Sequence, residues 1–163
     1  MVESESQLVV RRIVSGGQTG VDRGALDAAI ELGLEHGGWC PRGRRAEDGP
    51  IPLRYQLRET ASARYPVRTR QNVIESDATL LFYRDHLHSG TELTFRLAKQ
   101  HAKPYLLVDL ETLLDPAVVL DWINGEQVDT LNVAGPREST APGIARQTRE
   151  FLTCCLASAS ETS

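Results

Sequence analysis

Short apolar runs alternate with segments of helical periodicity along the chain, and this alternation limits the possible fold more than any other feature of the sequence. The strand-like runs are residues 8–14, 36–40, 78–83, 104–110 and 128–134. The helical segments are residues 21–34, 67–76, 91–102, 116–124 and 143–156. Strands that alternate with helices form mainly parallel sheets that helices cover on both faces. The sequence therefore predicts a Rossmann-like three-layer α/β/α fold with a mainly parallel sheet.

Length, charge and cysteine content restrict the class of protein. The 163 residues predict a single domain over 1–163, with a core at about 8–156 and polar tails. A net charge of −4 argues against a broadly basic surface for nucleic acid. No apolar run approaches the roughly 18 residues that span a membrane. Three cysteines, two of them adjacent, do not suit a secreted disulfide framework, so we expect a cytoplasmic protein.

The junction between the first strand and the first helix is rich in glycine. It contains Gly16, Gly17, Gln18, Thr19 and Gly20, and Asp22 follows in the helix. Glycines let a backbone approach a ligand closely, and the free amides at a helix start favour an anion. A phosphate site is one interpretation, although the segment matches neither the GxGxxG nor the P-loop pattern. The other is a tight turn in which Thr19 or Asp22 caps the helix. Asp22 could also contact a ribose hydroxyl or a ligand amino group.

Two later strand-to-helix junctions have a similar composition. The first contains Ser89, Gly90 and Thr91, and the second contains Gly135, Pro136, Arg137 and Ser139. Arg137 either pairs with a phosphate or lies in solvent, and Glu92 is either a first-turn acid or a general acid/base. Ligands of parallel α/β sheets bind at the carboxyl ends of the strands. We therefore expect the three junctions to converge on one phosphate-bearing small molecule.

Other polar residues supplement these junctions. Arg42 and Arg44 lie in a charged loop, residues 41–52, and either clamp a phosphate or form a solvated turn. Asn72 could read the edge of a base or a pterin, or lie at the surface. Cysteines, histidines and carboxylates do not cluster at the spacing of a structural zinc site, so no metal site is predicted. His86 and His88 flank Leu87 in one loop, and Cys40 follows a strand. The sequence leaves open whether these three residues have a functional role.

Several blocks of sequence resemble a known family. Residues 15–27 read SGGQTGVDRGALD, residues 38–52 read GWCPRGRRAEDGPIP, residues 89–94 read SGTELT, and residues 132–139 read NVAGPRES. Together they resemble the molybdenum carrier family, a bacterial group similar to the molybdenum-cofactor carrier protein of algae. That family is a circularly permuted branch of a Rossmann-like superfamily that includes the Lonely-guy phosphoribohydrolases and the DNA-processing protein DprA.

The resemblance implies a non-catalytic carrier that forms a homo-oligomer. Its cargo would be a phosphate-bearing molecule, either the molybdenum cofactor (molybdopterin) or a nucleotide. The alternative that it implies is a Lonely-guy-like hydrolase that cleaves the N-glycosidic bond of a nucleotide. Those hydrolases carry their catalytic glutamate in a PGGxGTxxE loop. When the GT pairs are aligned, Thr94 stands at that position and Glu92 lies two residues earlier, so Glu92 or Asp22 would have to serve as the acid/base.

Overall fold

The computed structural model describes residues 10–160 and contains nine strands and five helices within them. The strands are β1 (Arg12–Val14), β2 (Glu35–Gly37), β3 (Trp39–Cys40), β4 (Arg45–Ala46), β5 (Gly49–Pro50), β6 (Arg58–Glu59), β7 (Ala78–Tyr83), β8 (Tyr105–Asp109) and β9 (Thr130–Ala134). The helices are α1 (Val21–Leu32), α2 (Tyr65–Glu75), α3 (Ser89–Gln100), α4 (Pro116–Gly125) and α5 (Ile144–Ser160). None of these helices combines the length and the apolar character needed to cross a bilayer.

Five strands form one parallel sheet in the order β2-β1-β9-β7-β8. The last strand of the chain lies in the centre, where Leu131 pairs with Ile13 of β1 on one side and with Ala78 of β7 on the other. Two small sheets, β3 with β6 and β4 with β5, stand apart from it. The carboxyl ends of β1, β9 and β7 are therefore neighbours, and the three glycine-bearing junctions emerge side by side. The mainly parallel α/β fold predicted from the sequence is confirmed.

Helices cover the sheet on two sides. The larger core cluster joins strand residues such as Leu80, Phe82 and Leu131 to residues of α1, α4 and α5. A smaller cluster joins α2 to α3 through Val73 and Leu97. Strand β7 is buried through five consecutive residues, which is expected of a central strand covered on both faces.

Several predicted boundaries differ from the structure. The strand predicted over 8–14 spans Arg12–Val14, and residues 8 and 9 lie outside the described residues, as do most of the predicted polar tails. The single strand predicted over 36–40 is two strands in different sheets. Gly38 separates them with a φ of 120°, and a Cβ there would lie 2.4 Å from the carbonyl oxygen of Ser15. The loop predicted over 41–52 contains the short β4–β5 hairpin.

The first turn of α3 also begins earlier than predicted. Ser89 and Gly90 belong to the helix, and His88 is its N-cap residue without a side-chain capping bond. Gly90 is therefore a helical residue. No atom lies within 4 Å of the position that a Cβ of Gly90 would take, so the helix start is open on that side.

Candidate ligand-binding cleft

A cavity of about 730 Å³ lies at the carboxyl edge of the sheet. Its walls come from the loop after β1, the loop after β9, the first turn of α3 and one side of α2. Eleven of the residues predicted from the sequence line it: Gly16, Gln18, Asp22, Asn72, Ser89, Gly90, Thr91, Gly135, Pro136, Arg137 and Ser139. The three junctions that the sequence pattern placed at one edge therefore surround one cleft.

A buried ion pair forms part of the cleft wall. Arg68 Nη1 donates to Asp22 Oδ2 at 3.2 Å, and the two side chains are only 11% and 8% exposed. The guanidinium lies directly on the glycine loop, because a Cβ at Gly16 would stand 1.7 Å from Arg68 Nη1. Glycine at this position thus gives the Arg68 guanidinium room to lie against the loop, and a larger residue would displace that side chain.

Asp22 holds the glycine-rich loop after β1 through two further hydrogen bonds. Its Oδ2 also accepts from the amide of Gln18 at 3.1 Å, and Ser15 Oγ donates to the Asp22 carbonyl at 2.9 Å. Burial raises the pKa of Asp22, and the positive charge of Arg68 and the Gln18 amide oppose that rise. The N-cap of α1 is Gly20, without a side-chain capping bond, so neither Asp22 nor Thr19 caps this helix.

The side chain of Gln18 is held at one end only. Its Oε1 accepts from the amide of Thr19 at 3.1 Å and from the amide of Glu47 at 2.9 Å. Its Nε2 is buried and has no hydrogen-bond partner among the described residues. Gln18 is only 5% exposed, so this donor is buried, and no residue within 10–160 accepts its hydrogens.

Glu47, from the charged loop, fastens three segments together. Thr19 Oγ1 donates to its carboxylate, and Ser139 donates from its amide at 3.2 Å and from its hydroxyl at 2.5 Å. Arg137 Nη1 lies 3.9 Å away. Partial burial would raise the pKa of Glu47, but the hydrogen bonds from Ser139 and Thr19 and the charge of Arg137 outweigh it and leave this pKa below its ordinary value. The Glu47 carboxylate therefore already binds donors of Thr19 and Ser139, and it lies near Arg137. The sequence pattern predicted that these three residues would bind a phosphate.

The start of α3 contributes backbone donors to the cleft. The first amides of an α-helix have no partner inside the helix, and Ser89, Gly90 and Thr91 line the cavity. Thr94 turns its hydroxyl back to the Gly90 carbonyl at 3.1 Å. Glu92 lies on the same turn but is not among the lining residues.

The structure places the remaining predicted residues outside the cavity lining, where they organise loops. Positions Gly17 and Gly20 are filled by neighbours, because a Cβ would lie 2.6 Å from Leu57 Cδ1 and 2.4 Å from the Pro136 carbonyl oxygen respectively. Arg44 donates to the carbonyls of Ile51, Pro52 and Tyr55. Thr19 binds Glu47 as described, and Arg42 is exposed.

Asn72 lines the cleft with its amide already engaged. Its Oδ1 accepts from the amide of Trp39 at 2.7 Å, and its Nδ2 donates to the Trp39 carbonyl at 2.9 Å. This pair of bonds imitates a strand neighbour and fixes the start of β3 against α2. The geometry therefore leaves Asn72 little capacity to read a ligand edge.

The sequence reasoning missed a group of aromatic and basic residues on α2 and α3. Tyr65, Arg68 and Arg96 all line the cavity. The ring centroid of Tyr65 lies 4.6 Å from the guanidinium carbon of Arg45, 5.3 Å from that of Arg68 and 5.4 Å from that of Arg137. An arginine in an amphipathic helix is usually exposed to solvent, so no local sequence signal could have identified Arg68 as a residue of the cleft.

Of the two histidines and the cysteine whose roles the sequence left open, only His88 lines the cavity. The described residues contain no group of three or more metal-ligating side chains. The rings of His86 and His88 are in contact, with centroids 4.3 Å apart and planes tilted by 50°, and His86 contacts Asp85 at 3.2 Å. Burial raises the pKa of the Cys40 thiol, which is characteristic of an unreactive cysteine.

A parallel sheet with a glycine-rich first junction and a cleft at its carboxyl edge defines a Rossmann-like α/β protein. The chain belongs to the circularly permutated YpsA SLOG family, whose model matches residues 13–156. This assignment agrees with the central position of β9, the strand that comes last in the chain.

A solved structure from Syntrophus aciditrophicus SB is similar to this chain. That protein bears the provisional name molybdenum carrier protein, and the two sequences are 39% identical over 92% of this chain and 97% of the other. The TM-score is 0.88. No curated protein matches the chain. The resemblance drawn from the sequence blocks is thereby confirmed.

Proposed function

We propose that this protein binds a phosphate-bearing small molecule in the cleft and carries it without changing it chemically. The cargo is molybdopterin or a nucleotide. The family and the name of the similar protein from Syntrophus aciditrophicus support a molybdenum-carrier-like role. Molybdopterin ends in a phosphate, and its pterin is a heterocycle of the same kind as a nucleotide base. As the resemblance implies, we expect the protein to form a homo-oligomer.

One observation carries the proposal, namely that free helix amides and arginines surround the same cavity. Ser89, Gly90 and Thr91 begin α3 at the cleft, and Arg137 faces the same space from the loop after β9. Amides at a helix start and an arginine fork are two donors that proteins commonly use to bind phosphate. The phosphate therefore sits at the start of α3, within reach of Arg137.

A second candidate function is cleavage of the N-glycosidic bond of a nucleotide. The observation in its favour is Asp22, a buried carboxylate of raised pKa that lines the cleft. Both hydrogen bonds that it accepts end on Oδ2, so within residues 10–160 its Oδ1 has no hydrogen-bond partner. Groups of this kind serve as general acids. The residues of the cleft do not include Glu92.

Mass spectrometry of gently purified protein separates the two functions. Co-purified pterin, molybdenum or intact nucleotide is the result expected of a carrier. Release of free base from nucleoside monophosphates, lost in Asp22→Asn, is the result expected of the hydrolase and would replace the carrier proposal. Protein that carries none of these molecules and shows no calorimetric heat with any phosphate ligand rejects both functions.

A further inference from the structure

We propose that one carboxylate oxygen of Glu47, Oε1, competes with the phosphate of the ligand for the Arg137 guanidinium and the Ser139 hydroxyl. The inference rests on the proposed function, and it assigns to the cleft a built-in limit on affinity that helps a carrier to release its cargo. The competitor belongs to the charged loop, residues 41–52. Both residues for which it competes line the cavity.

The two oxygens of the Glu47 carboxylate have different partners. Oε2 accepts from Thr19 Oγ1 and from the backbone amide of Ser139. Oε1 accepts from the Ser139 hydroxyl at 2.5 Å and lies 3.9 Å from Arg137 Nη1. Oε2 therefore fastens the charged loop to the glycine loop and to the backbone after β9, whereas Oε1 contacts two side chains of the cleft. A ligand that takes over the partners of Oε1 leaves the fastening through Oε2 in place.

The Arg137 guanidinium is available to a second anion. Its distance of 3.9 Å from Glu47 Oε1 is too long for a hydrogen bond. Within residues 10–160 the guanidinium donates no hydrogen bond, and the centroid of the Tyr65 ring lies 5.4 Å from its Cζ. All five N–H donors of the arginine fork are therefore free, and 39% of the side chain is exposed. A phosphate can reach these donors from the cleft.

The other charges of the cleft do not take over the part of Glu47. Asp22 and Arg68 line the cavity as a buried ion pair and neutralise one another. Arg96 lines it from α3 and forms no ion pair in the described part of the chain. Glu138 binds two amides at the start of α5. The cleft as a whole therefore attracts an anion, and Glu47 reduces that attraction at one group of donors.

A competitor at the phosphate end suits a protein that must release what it binds. A phosphate that leaves a site of free donors and positive charge leaves them unpaired, which costs free energy. Here Arg137 and Ser139 return to Glu47 as the phosphate departs, so this cost is smaller. Affinity differences between related complexes lie mostly in the dissociation rate. Glu47 should therefore act mainly by shortening the lifetime of the complex.

Glu47→Gln tests the competition, with calorimetry on GMP and 6-hydroxymethylpterin phosphate. Glutamine can keep the oxygen that accepts from Thr19 and the Ser139 amide. Its NH₂ then replaces Oε1, where it can donate to the Ser139 hydroxyl but does not attract Arg137. We expect whichever probe binds the wild type to bind the variant about three- to tenfold more tightly. A purely structural role of Glu47 would instead weaken binding, because its loss loosens the charged loop.

Glu31→Gln is the matched control. Glu31 also accepts from a threonine hydroxyl, that of Thr153, and it is exposed on α1 outside the cavity lining. This variant should leave both affinities unchanged. In an Arg137→Ala background the gain from Glu47→Gln should shrink, because one of the contested donors is gone. An equal gain in Glu31→Gln, or a gain undiminished without Arg137, would indicate general repulsion by negative charge and overturn the competition.

Unchanged or weaker binding in Glu47→Gln also overturns the role of Glu47 as a competitor, while the carrier function stands. If neither probe binds the wild type or any variant, the proposed function fails and this inference fails with it.

A crystal structure of the wild-type complex gives a second readout that does not depend on the stability of a variant. Arg137 should donate to the phosphate at about 2.7–3.2 Å and lie farther from Glu47 than the 3.9 Å of the free protein. The bonds from Thr19 and the Ser139 amide to Oε2 should persist. A complex in which the phosphate contacts neither Arg137 nor the Ser139 hydroxyl contradicts the competition.

Discussion

At the scale of single residues, the cleft depends on a charge pair that water barely reaches. Asp22 and Arg68 come from α1 and α2, and their contact joins the glycine loop to the helix on the opposite wall. Two buried ions that satisfy one another add little net stability, but one left alone is strongly unfavourable. The pair therefore fixes the relative positions of two walls more than it stabilises the fold.

Arg68→Ala should consequently lower the free energy of unfolding by about 3–5 kcal/mol, because it leaves the Asp22 carboxylate buried without its counter-ion. Urea unfolding monitored by circular dichroism measures the loss. The double variant Asp22→Asn with Arg68→Met should recover most of it. Arg11→Ala, which breaks an ion pair in which Arg11 is 74% exposed, should have a much smaller effect. Equal losses in Arg68→Ala and Arg11→Ala would contradict this account.

Arginine shows where residue-level prediction from sequence ends. Arg137 was recognisable as a cleft residue because it follows a strand in a glycine-bearing loop, and it lines the cavity. For Arg44 the sequence left a phosphate clamp and a solvated turn open, and in the structure its guanidinium donates to the backbone carbonyls of Ile51, Pro52 and Tyr55. A guanidinium donates hydrogen bonds to phosphates and to carbonyls alike. Which of the two it binds depends on the acceptors that the fold places beside it, and the sequence does not show their positions.

At the scale of secondary-structure elements, the close packing of α1 on α5 depends on one small residue. Gly24 is the fourth residue of α1, and a Cβ there would stand 2.3 Å from the Ala145 carbonyl oxygen and 3.0 Å from Thr148 Cβ. A backbone atom cannot move aside as a side-chain tip can. The two helices would have to separate to admit a methyl group, and the core beneath them would loosen.

Gly24→Ala should therefore destabilise the protein by about 1–3 kcal/mol, although alanine is the better helix former by about 1 kcal/mol. Gly125→Ala is the matched control, because Gly125 ends α4 and nothing lies within 4 Å of the added Cβ. That variant should be neutral or slightly more stable. Thermal unfolding of both variants compares the signs, and stabilisation by Gly24→Ala would show that the helices are free to adjust.

The charged loop is fastened by Glu47, and this contact should respond to pH. Because the pKa of Glu47 is lowered in the folded state, its stabilisation is complete above the ordinary value of 4.5 and is lost as the pH falls through the folded value. Glu47→Gln should thus be less stable than the wild type at pH 7, and the difference should shrink below about pH 4.5. Urea unfolding from pH 3 to 7 measures both proteins. A difference that stays constant over this range would remove Glu47 as the cause.

Elements with strong periodicity were predicted best. Strand β7 and helix α4 fall close to their predicted ranges because an uninterrupted apolar run and a proline at the helix start are local signals. The segment around Gly38 was not predictable in the same way, since its division into β2 and β3 depends on the backbone of Ser15, which is distant in sequence. Ile30 matches the helical spacing of the buried face of α1 but is 43% exposed.

At the scale of the whole molecule, the order of the strands creates the cleft. Strand alternation predicted a parallel sheet, but no local pattern specifies that the last strand fills the gap between β1 and β7. That order follows from long-range pairing, and the resemblance to a circularly permuted family was the only sequence evidence for it. With β9 inserted, loops from the beginning, middle and end of the chain meet at one cavity.

A ligand that contacts all three loops should therefore stabilise the entire fold. We expect GMP or 6-hydroxymethylpterin phosphate, whichever binds, to raise the free energy of unfolding by about 2.7 kcal/mol at a concentration 100 times its Kd. Thermal unfolding at graded ligand concentrations measures the increase. Arg137→Ala should weaken binding by about 1.5–3 kcal/mol, the usual size of a charge-assisted hydrogen bond, and so remove about half to nine-tenths of the increase at the same ligand concentration.

Arg149→Ala, at an exposed position on α5 outside the cavity lining, should keep the full increase, because it removes the same charge from the protein without touching the cleft. If Arg137→Ala and Arg149→Ala lose equal amounts, general electrostatic attraction to the ligand would explain the effect. If neither loses any, the phosphate does not contact Arg137, and the loop after β9 would be a wall of the cleft without a part in binding. The difference in ligand-induced stabilisation between the two variants thus shows whether the loop after β9 contacts the ligand through Arg137. Such a contact would be the functional consequence of the central position of β9, the last strand, in the sheet.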